Sequence, residues 1–194
     1  GVRLFSRRFG AEVRTSPATA AAAGINAGDV AGLALMEAGR PCVIGDLRLS
    51  PFSVPHDAAD NVGLVVECDG ARLGYATDLG HVTSLVTERL RQCDLLVAEA
   101  NHDTAMLKNG PYPWTVKQRI LSRHGHLSND DMEGLVGEVA APRTRSIFLA
   151  HMSETNNRPD LALAACRRAL EAAGRSGVRV EMALQNEASE VVEA

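Results

Sequence analysis

The sequence is poor in aromatic residues: one Trp, two Tyr and four Phe make up 4% of 194 positions. A core must therefore rest on Ala, Val and Leu. No apolar run approaches ~18 residues, which excludes a membrane-spanning helix, and no secretory signal pattern is visible. The expected location is therefore cytoplasmic, with no membrane partner. The four cysteines (Cys42, Cys68, Cys93, Cys166) form no C-x-x-C pair. Such spacing argues against a disulfide framework or a zinc knot and predicts buried, reduced thiols. G-x-G-x-x-G and Walker loops are missing, so a nucleotide cofactor site has no support. Positive charge is not in excess either. At a net charge of −4 the chain has no global attraction for nucleic acid, and only a local basic patch stays open. Repeats, low-complexity tracts and convincing linkers are absent too, so residues 1–194 read as a single domain.

What is present alternates between short apolar runs and amphipathic stretches. Strand patterns fall at 41–49, 62–68, 72–77, 95–99, 146–151 and 178–184. Asp69-Gly70 between the second and third is a hairpin turn signal. Helical patterns cover about 17–23, 82–92, 115–122, 129–140 and 159–173. The last begins with Pro159 in its first turn and stops at Gly174, and Ser128 caps the one before it. The acidic tail "QNEASEVVEA" reads as a terminal strand with a frayed end. Early strands are consecutive and later ones alternate with helices, which predicts an α/β sandwich of sheet layers covered by helices.

The polar residues gather at strand ends. In "PHDAADNVGLVVECDGARLGYATDLGH", residues 55–81, His56 precedes one strand and Asp78 follows the next. A hairpin brings its outer ends together, so the two could face one metal ion. "VAEANHD", "RHGHLSN" and "FLAHMSE" repeat the theme with Glu99, His102, His124, His126 and His151. Loops positioned by a rigid sheet are where functional groups collect, and imidazole with carboxylate is a ligand set for zinc, manganese or iron.

The order His56, Asp78, Glu99, His126, His151 resembles the second half of the metallo-β-lactamase superfamily. It is most similar to a bacterial exonuclease-like branch related to tRNA 3′-processing endonucleases and phosphodiesterases. "VPHDAADNVG" resembles the third-motif histidine, "GYATDLG" the bridging-aspartate motif, and "LLVAEANHD" the strand with an orienting glutamate. "GHLSN" resembles the motif of a proton-donating histidine, and "FLAHMSE" that of the final metal histidine. The stretch "MLKNGPYPWTVKQRILSRHGHLSN" is similar to the exonuclease-like branch in particular. The family's first motif, H-x-H-x-D-H, does not occur in these 194 residues. The resemblance thus implies an αββα metallo-β-lactamase sandwich shortened at its amino end, with Gly1 falling just after that motif.

The complete family site holds two divalent metal ions, Zn or Mn. The resemblance implies His56, Asp78 and His151 as metal ligands, with Asp78 bridging. It implies His126 as general acid, oriented by Glu99. Lys108, Tyr112, Trp114 and Arg123 are candidate substrate-binding residues, with Lys117 and Arg119 as further flanking cations, because cations interleaved with aromatics can grip a phosphate backbone and stack a base. His81 is expected to be exposed. The implied activity is that of a metal-dependent phosphodiesterase or nuclease, such as a DNA exonuclease, using a metal-activated water on DNA or RNA. Two alternatives stand beside it: hydrolysis of a small ester, lactone or nucleotide, and an inactive fragment or binding module lacking the first metal motif. A homodimer is left open.

Overall fold

A computed structural model describes residues 1–193. Its main element is a seven-stranded sheet. It comprises β3 (Cys42–Ile44), β4 (Leu47–Ser53), β5 (Val62–Cys68), β6 (Ala71–Ala76), β7 (Leu95–Glu99), β8 (Ser146–Ala150) and β9 (Arg179–Met182), neighbours in chain order. β3 to β6 pair antiparallel and β6 to β9 pair parallel. The connections explain the change of direction. Asp69 and Gly70, with φ of 48° and 84°, close a two-residue turn between β5 and β6, while the later strands are joined through helices. A separate parallel pair, β1 (Glu12–Thr15) and β2 (Gly32–Leu35), precedes this sheet.

Three helices supply the apolar cover: α3 (Ser84–Leu90), α6 (Asn129–Val139) and α7 (Pro159–Ala172). With the sheet they form a core of small and branched residues, including Leu90, Leu96, Val136, Ile147, Leu149 and Leu170, to which Phe52 adds an aromatic ring, and Phe148 of β8 is buried as well. The low aromatic content is met as expected. Each helix start follows from its sequence. Thr83 and Ser128 accept from the backbone N–H three residues on, and Pro159 occupies the first turn of α7. Gly174 sits past α7 at φ 68°, where a side chain would be strained.

Several elements differ from the expectation. The run 41–49 is not one strand: Gly45, at φ 57°, turns it into the β3–β4 hairpin. Pro51 lies within β4, beyond Leu49 where β3 stops pairing, so its missing N–H interrupts no ladder on that side. The helices α1 (Val2–Phe9), α2 (Pro17–Ala22), α4 (Thr104–Asn109) and α5 (Trp114–Ile120) complete the chain, and α1, α4, β1 and β2 carried no clear sequence signal. β9 ends at Met182, and no strand follows it among the described residues, so the acidic tail is not a terminal strand. Of the thiols, Cys93 and Cys166 are buried as expected, whereas Cys42 and Cys68 are half-exposed. Burial pushes the Cys93 and Cys166 thiols up to about 11 and about 12.

The edge of the sheet where β6, β7 and β8 begin is tied by one buried carboxylate. Asp94 accepts from the Arg72 N–H at 2.8 Å and from Arg143 Nε and Nη2 at 3.1 and 2.5 Å. Its own carbonyl accepts from the Arg145 N–H at 2.7 Å. The Arg143 hydrogen bonds hold the Asp94 carboxyl below its ordinary 3.8. A depressed folded pKa stabilises the fold above the unfolded value and ceases to do so as pH falls through the folded one. Asp94→Asn is expected to cost about 1.5–3 kcal/mol at neutral pH. In urea unfolding followed across pH, that deficit should shrink only below the ordinary aspartate range.

Candidate metal centre

The carboxyl ends of the parallel strands β6, β7 and β8 lie along one edge, where side chains can converge on a ligand. β4 runs parallel to β6 through its antiparallel pairing with β5, and so ends at the same edge. His56 follows β4, Asp78 follows β6, Glu99 ends β7 and His151 follows β8. His126 arrives from the loop before α6.

Glu99 is fully buried and organises the group. Its Oε1 accepts from His126 Nδ1 at 2.8 Å and from His151 Nδ1 at 2.9 Å, and its Oε2 accepts from the Leu79 N–H at 2.6 Å. Burial pushes the Glu99 carboxyl up, but the three hydrogen bonds outweigh it and hold the group below its usual range. It is therefore an ionised, acceptor-only group, and both histidines must be the donors at Nδ1. His151 is in turn held above the usual imidazole value, chiefly by its hydrogen bond to Glu99 and further by Asp78, against the effect of burial.

His56 obeys the same rule by another route. Its Nδ1 lies 2.8 Å from the Gly125 carbonyl, which can only accept. All three imidazoles thus have Nδ1 committed as donor and Nε2 left free. That is the arrangement seen when the second ring nitrogen of a metal-binding histidine is fixed by a carboxylate or carbonyl. Asp78 Oδ1 stands among the three rings, 3.7 Å from His56 Nε2, 3.8 Å from His126 Nδ1 and 3.4 Å from His151 Nδ1.

Asp78, Glu99, His126 and His151 offer donor atoms within 4.8 Å of one another. Since both Glu99 oxygens already accept strong hydrogen bonds, Glu99 fits an orienting role and leaves the Asp78 carboxylate and the imidazoles to hold a cation; His56 is not a member of this group of four, although its Nε2 lies 3.7 Å from Asp78 Oδ1. This is a donor set suited to a divalent cation.

Two backbone outliers carry the ligand candidates. Asp78 and His151 have φ of 54° and 57°, in the left-handed region that costs most side chains energy. Each is held there by an asparagine: Asn61 Nδ2 donates to the Asp78 carbonyl at 2.7 Å, and Asn101 Nδ2 to the His151 carbonyl at 2.8 Å. Sequence reasoning did not single out either residue. Asparagine beside a histidine or aspartate at a strand end was the available signal. Gly80 and Gly125 let the Asp78 and His126 loops pass at backbone distance. A Cβ would lie 2.4 Å from the Arg123 carbonyl oxygen at Gly80, and 2.1 Å from that of Ile120 at Gly125.

The remaining candidates are dispersed. Tyr112 lines a cavity of about 360 Å³ that also reaches Asn101, Arg119, His126 and His151. Lys108, Trp114 and Arg123 are not among its lining residues. Lys108 is exposed on α4 and its carbonyl accepts from the buried Lys117 amine at 2.8 Å. Trp114 is 62% exposed at the start of α5, and Arg123 Nη2 lies 2.9 Å from His81 Nε2. His81 is partly buried, its Nδ1 2.8 Å from the Arg123 carbonyl. His124 is exposed. His102 is buried, with neither ring nitrogen partnered, and burial pushes its imidazole down toward the neutral form.

Comparison with known proteins bears on the family and the fold. A family model described as "Beta-lactamase superfamily domain" matches residues 7–152. The chain is 36% identical over 130 residues to exodeoxyribonuclease YycJ of Bacillus anthracis, covering 67% of this chain and 49% of that protein. It therefore spans about half the length of the curated relatives it matches. Among solved structures, Zn²⁺-bound PqqB from Methylobacterium extorquens superposes with a TM-score of 0.65 at 19% identity, over 93% of this chain and 65% of that one. The metallo-β-lactamase fold protein YhfI from Bacillus subtilis gives 0.58 at 12% identity, over 78% and 52%. With the family model covering residues 7–152 and these solved structures sharing its architecture, the chain belongs to the β-lactamase superfamily, in the metallo-β-lactamase fold.

Proposed function

We propose that this chain carries part of the active site of a metal-dependent phosphodiesterase that acts on nucleic acid, with removal of nucleotides from a DNA end as its reaction. The observation that carries the reading is the trio of imidazoles, each tied at Nδ1 with Nε2 free, around the Asp78 carboxylate. The name of the Bacillus anthracis relative, an exodeoxyribonuclease, supports DNA as the substrate.

In this reading His56, Asp78 and His151 hold the metal through two Nε2 atoms and a carboxylate. Divalent ions bound there, Zn²⁺ or Mn²⁺, would lower the pKa of a water and offset charge on the phosphoryl oxygens. With its Nδ1–H on Glu99, His126 in its doubly protonated form would give the Nε2 proton to the departing oxygen and return to the neutral Nδ1–H ring, while Glu99 fixes the ring throughout. Tyr112 offers an aromatic face along the adjoining cavity for the terminal base.

Three free donors are too few for two ions, and the 194 residues contain no H-x-H-x-D-H segment to add more. The chain alone is expected to bind metal weakly and to cleave little. Isothermal titration with Zn²⁺ or Mn²⁺ checks this, and a stoichiometry near two ions per chain contradicts it. In a version extended at its amino end by an H-x-H-x-D-H-bearing segment, end-labelled duplex DNA should release nucleotides in Mn²⁺ and none in EDTA. Absence of product in both Mn²⁺ and Zn²⁺ rejects the nuclease reading. In the same version Glu99→Gln, which weakens the grip on both imidazoles at once, should lower metal affinity or turnover by about 10–100-fold.

A further inference from the structure

The cavity beside the candidate metal centre contains one cation among the described lining residues, Arg119 of α5. The neighbouring cations are committed elsewhere. The Lys117 amine is buried on the Lys108 carbonyl, Arg123 is engaged with His81, and Lys108 lies on α4 away from the lining. In a chain of net charge −4, any grip on a phosphate at this site must come from such a local cation.

Arg119 is also held in a defined orientation. Its Nε and Nη2 both donate to the Asp57 carboxylate, the second at 3.0 Å, and that hydrogen bonding holds the Asp57 carboxyl below its usual range. Asp57 is itself fixed: its N–H donates to the His124 carbonyl at 2.9 Å, and its Oδ1 lies 3.4 Å from His56 Nε2. One face of the guanidinium is therefore anchored to the residue next to His56. Nη1 and the second Nη2 hydrogen remain free to donate. Arg119 is two-thirds exposed, so as a salt bridge alone this contact would contribute little. As an oriented donor at the mouth of a cavity shared with His126 and His151, it is well placed to receive an anion.

Building on the nucleic-acid reading above, we propose that Arg119, oriented by Asp57, contacts a phosphate of the DNA strand adjacent to the scissile one, seating the terminal nucleotide in the cavity lined by Tyr112, His126 and His151. Arg119 is one of the cations that the sequence interleaves with aromatics here, and the geometry singles it out from Lys108, Lys117 and Arg123. Asp57 is its positioning residue.

The test uses the 194-residue chain in EDTA, where no cleavage competes. Binding of a fluorescein-labelled single-stranded oligodeoxynucleotide is followed by anisotropy across a KCl series. Each neutralised phosphate on a single strand contributes about 0.7 to the slope of log K against log salt. Arg119→Gln should weaken binding and flatten the slope by about that amount. Arg119→Lys should restore the slope, since charge is retained, while binding less tightly than wild type because the planar fork is lost. A role confined to tying α5 to the His56 loop predicts otherwise: Arg119→Gln would lower the melting temperature and leave the slope at its wild-type value, and that result overturns the assignment. If the wild-type chain binds no oligonucleotide at any salt concentration, the nucleic-acid reading itself fails and this proposal falls with it.

Discussion

The Glu99 carboxylate is the interaction on which the site depends. Placing an ionised group at 0% exposure is costly unless every lone pair finds a donor. Here the donors are two imidazoles and one backbone N–H, drawn from three loops. Each of those loops is thereby locked relative to β7. The Leu79 N–H sets the turn that presents Asp78, while His126 and His151 have their ring orientation and tautomer set by one oxygen. A glutamine could accept from both rings through its one oxygen, but its amide nitrogen would then face the Leu79 N–H, donor against donor. The hydrogen bonds that make burial of Glu99 tolerable are thus the same ones that aim the two Nε2 atoms.

Backbone geometry shows a second constraint of the same kind. Left-handed conformations at Asp78 and His151 turn each side chain back over the strand ends, and Asn61 and Asn101 secure the two carbonyls. Gly80 and Gly125 remove the side chains that would keep the Asp78 and His126 loops apart. The centre therefore rests on four loops bound to one another by polar contacts, above a sheet whose helix-facing side is a plain aliphatic core. Far from it, Asp94 performs the corresponding task at the opposite strand ends, where no chemistry is expected.

Much of this was legible in the sequence, and the reason is local. Hairpin register follows from Asp69-Gly70, two helix starts from Ser128 and Pro159, and the placement of polar residues at strand ends from simple alternation. The expectation that His56 and Asp78 face each other across a hairpin is met at 3.7 Å. What the sequence did not disclose was tertiary. That Glu99 serves His151 as well as His126 depends on β7 and β8 being neighbours, a pairing across 46 intervening residues with no local signal. Asn61, Asn101 and Asp57 look like ordinary loop residues until the carbonyl or guanidinium they hold is known. The β3–β4 turn had a local signal, Gly45-Asp46 between apolar Ile44 and Leu47, which the reading of 41–49 as one strand passed over. The helix α4 was hidden because its six residues are too few to show a period.

The central claim is that His56, His126 and His151 are fixed as Nδ1–H tautomers with Nε2 free, and that His56 and His151 offer that atom to a metal. Long-range ¹H–¹⁵N NMR of the histidine rings, at a pH well above the ordinary imidazole range, reads this directly. The account predicts Nδ1–H signatures for all three rings, and on addition of Zn²⁺ a shift of the Nε2 resonances of His56 and His151 but not of His126. Nε2–H tautomers, or rings unaffected by Zn²⁺ at any concentration, would contradict it.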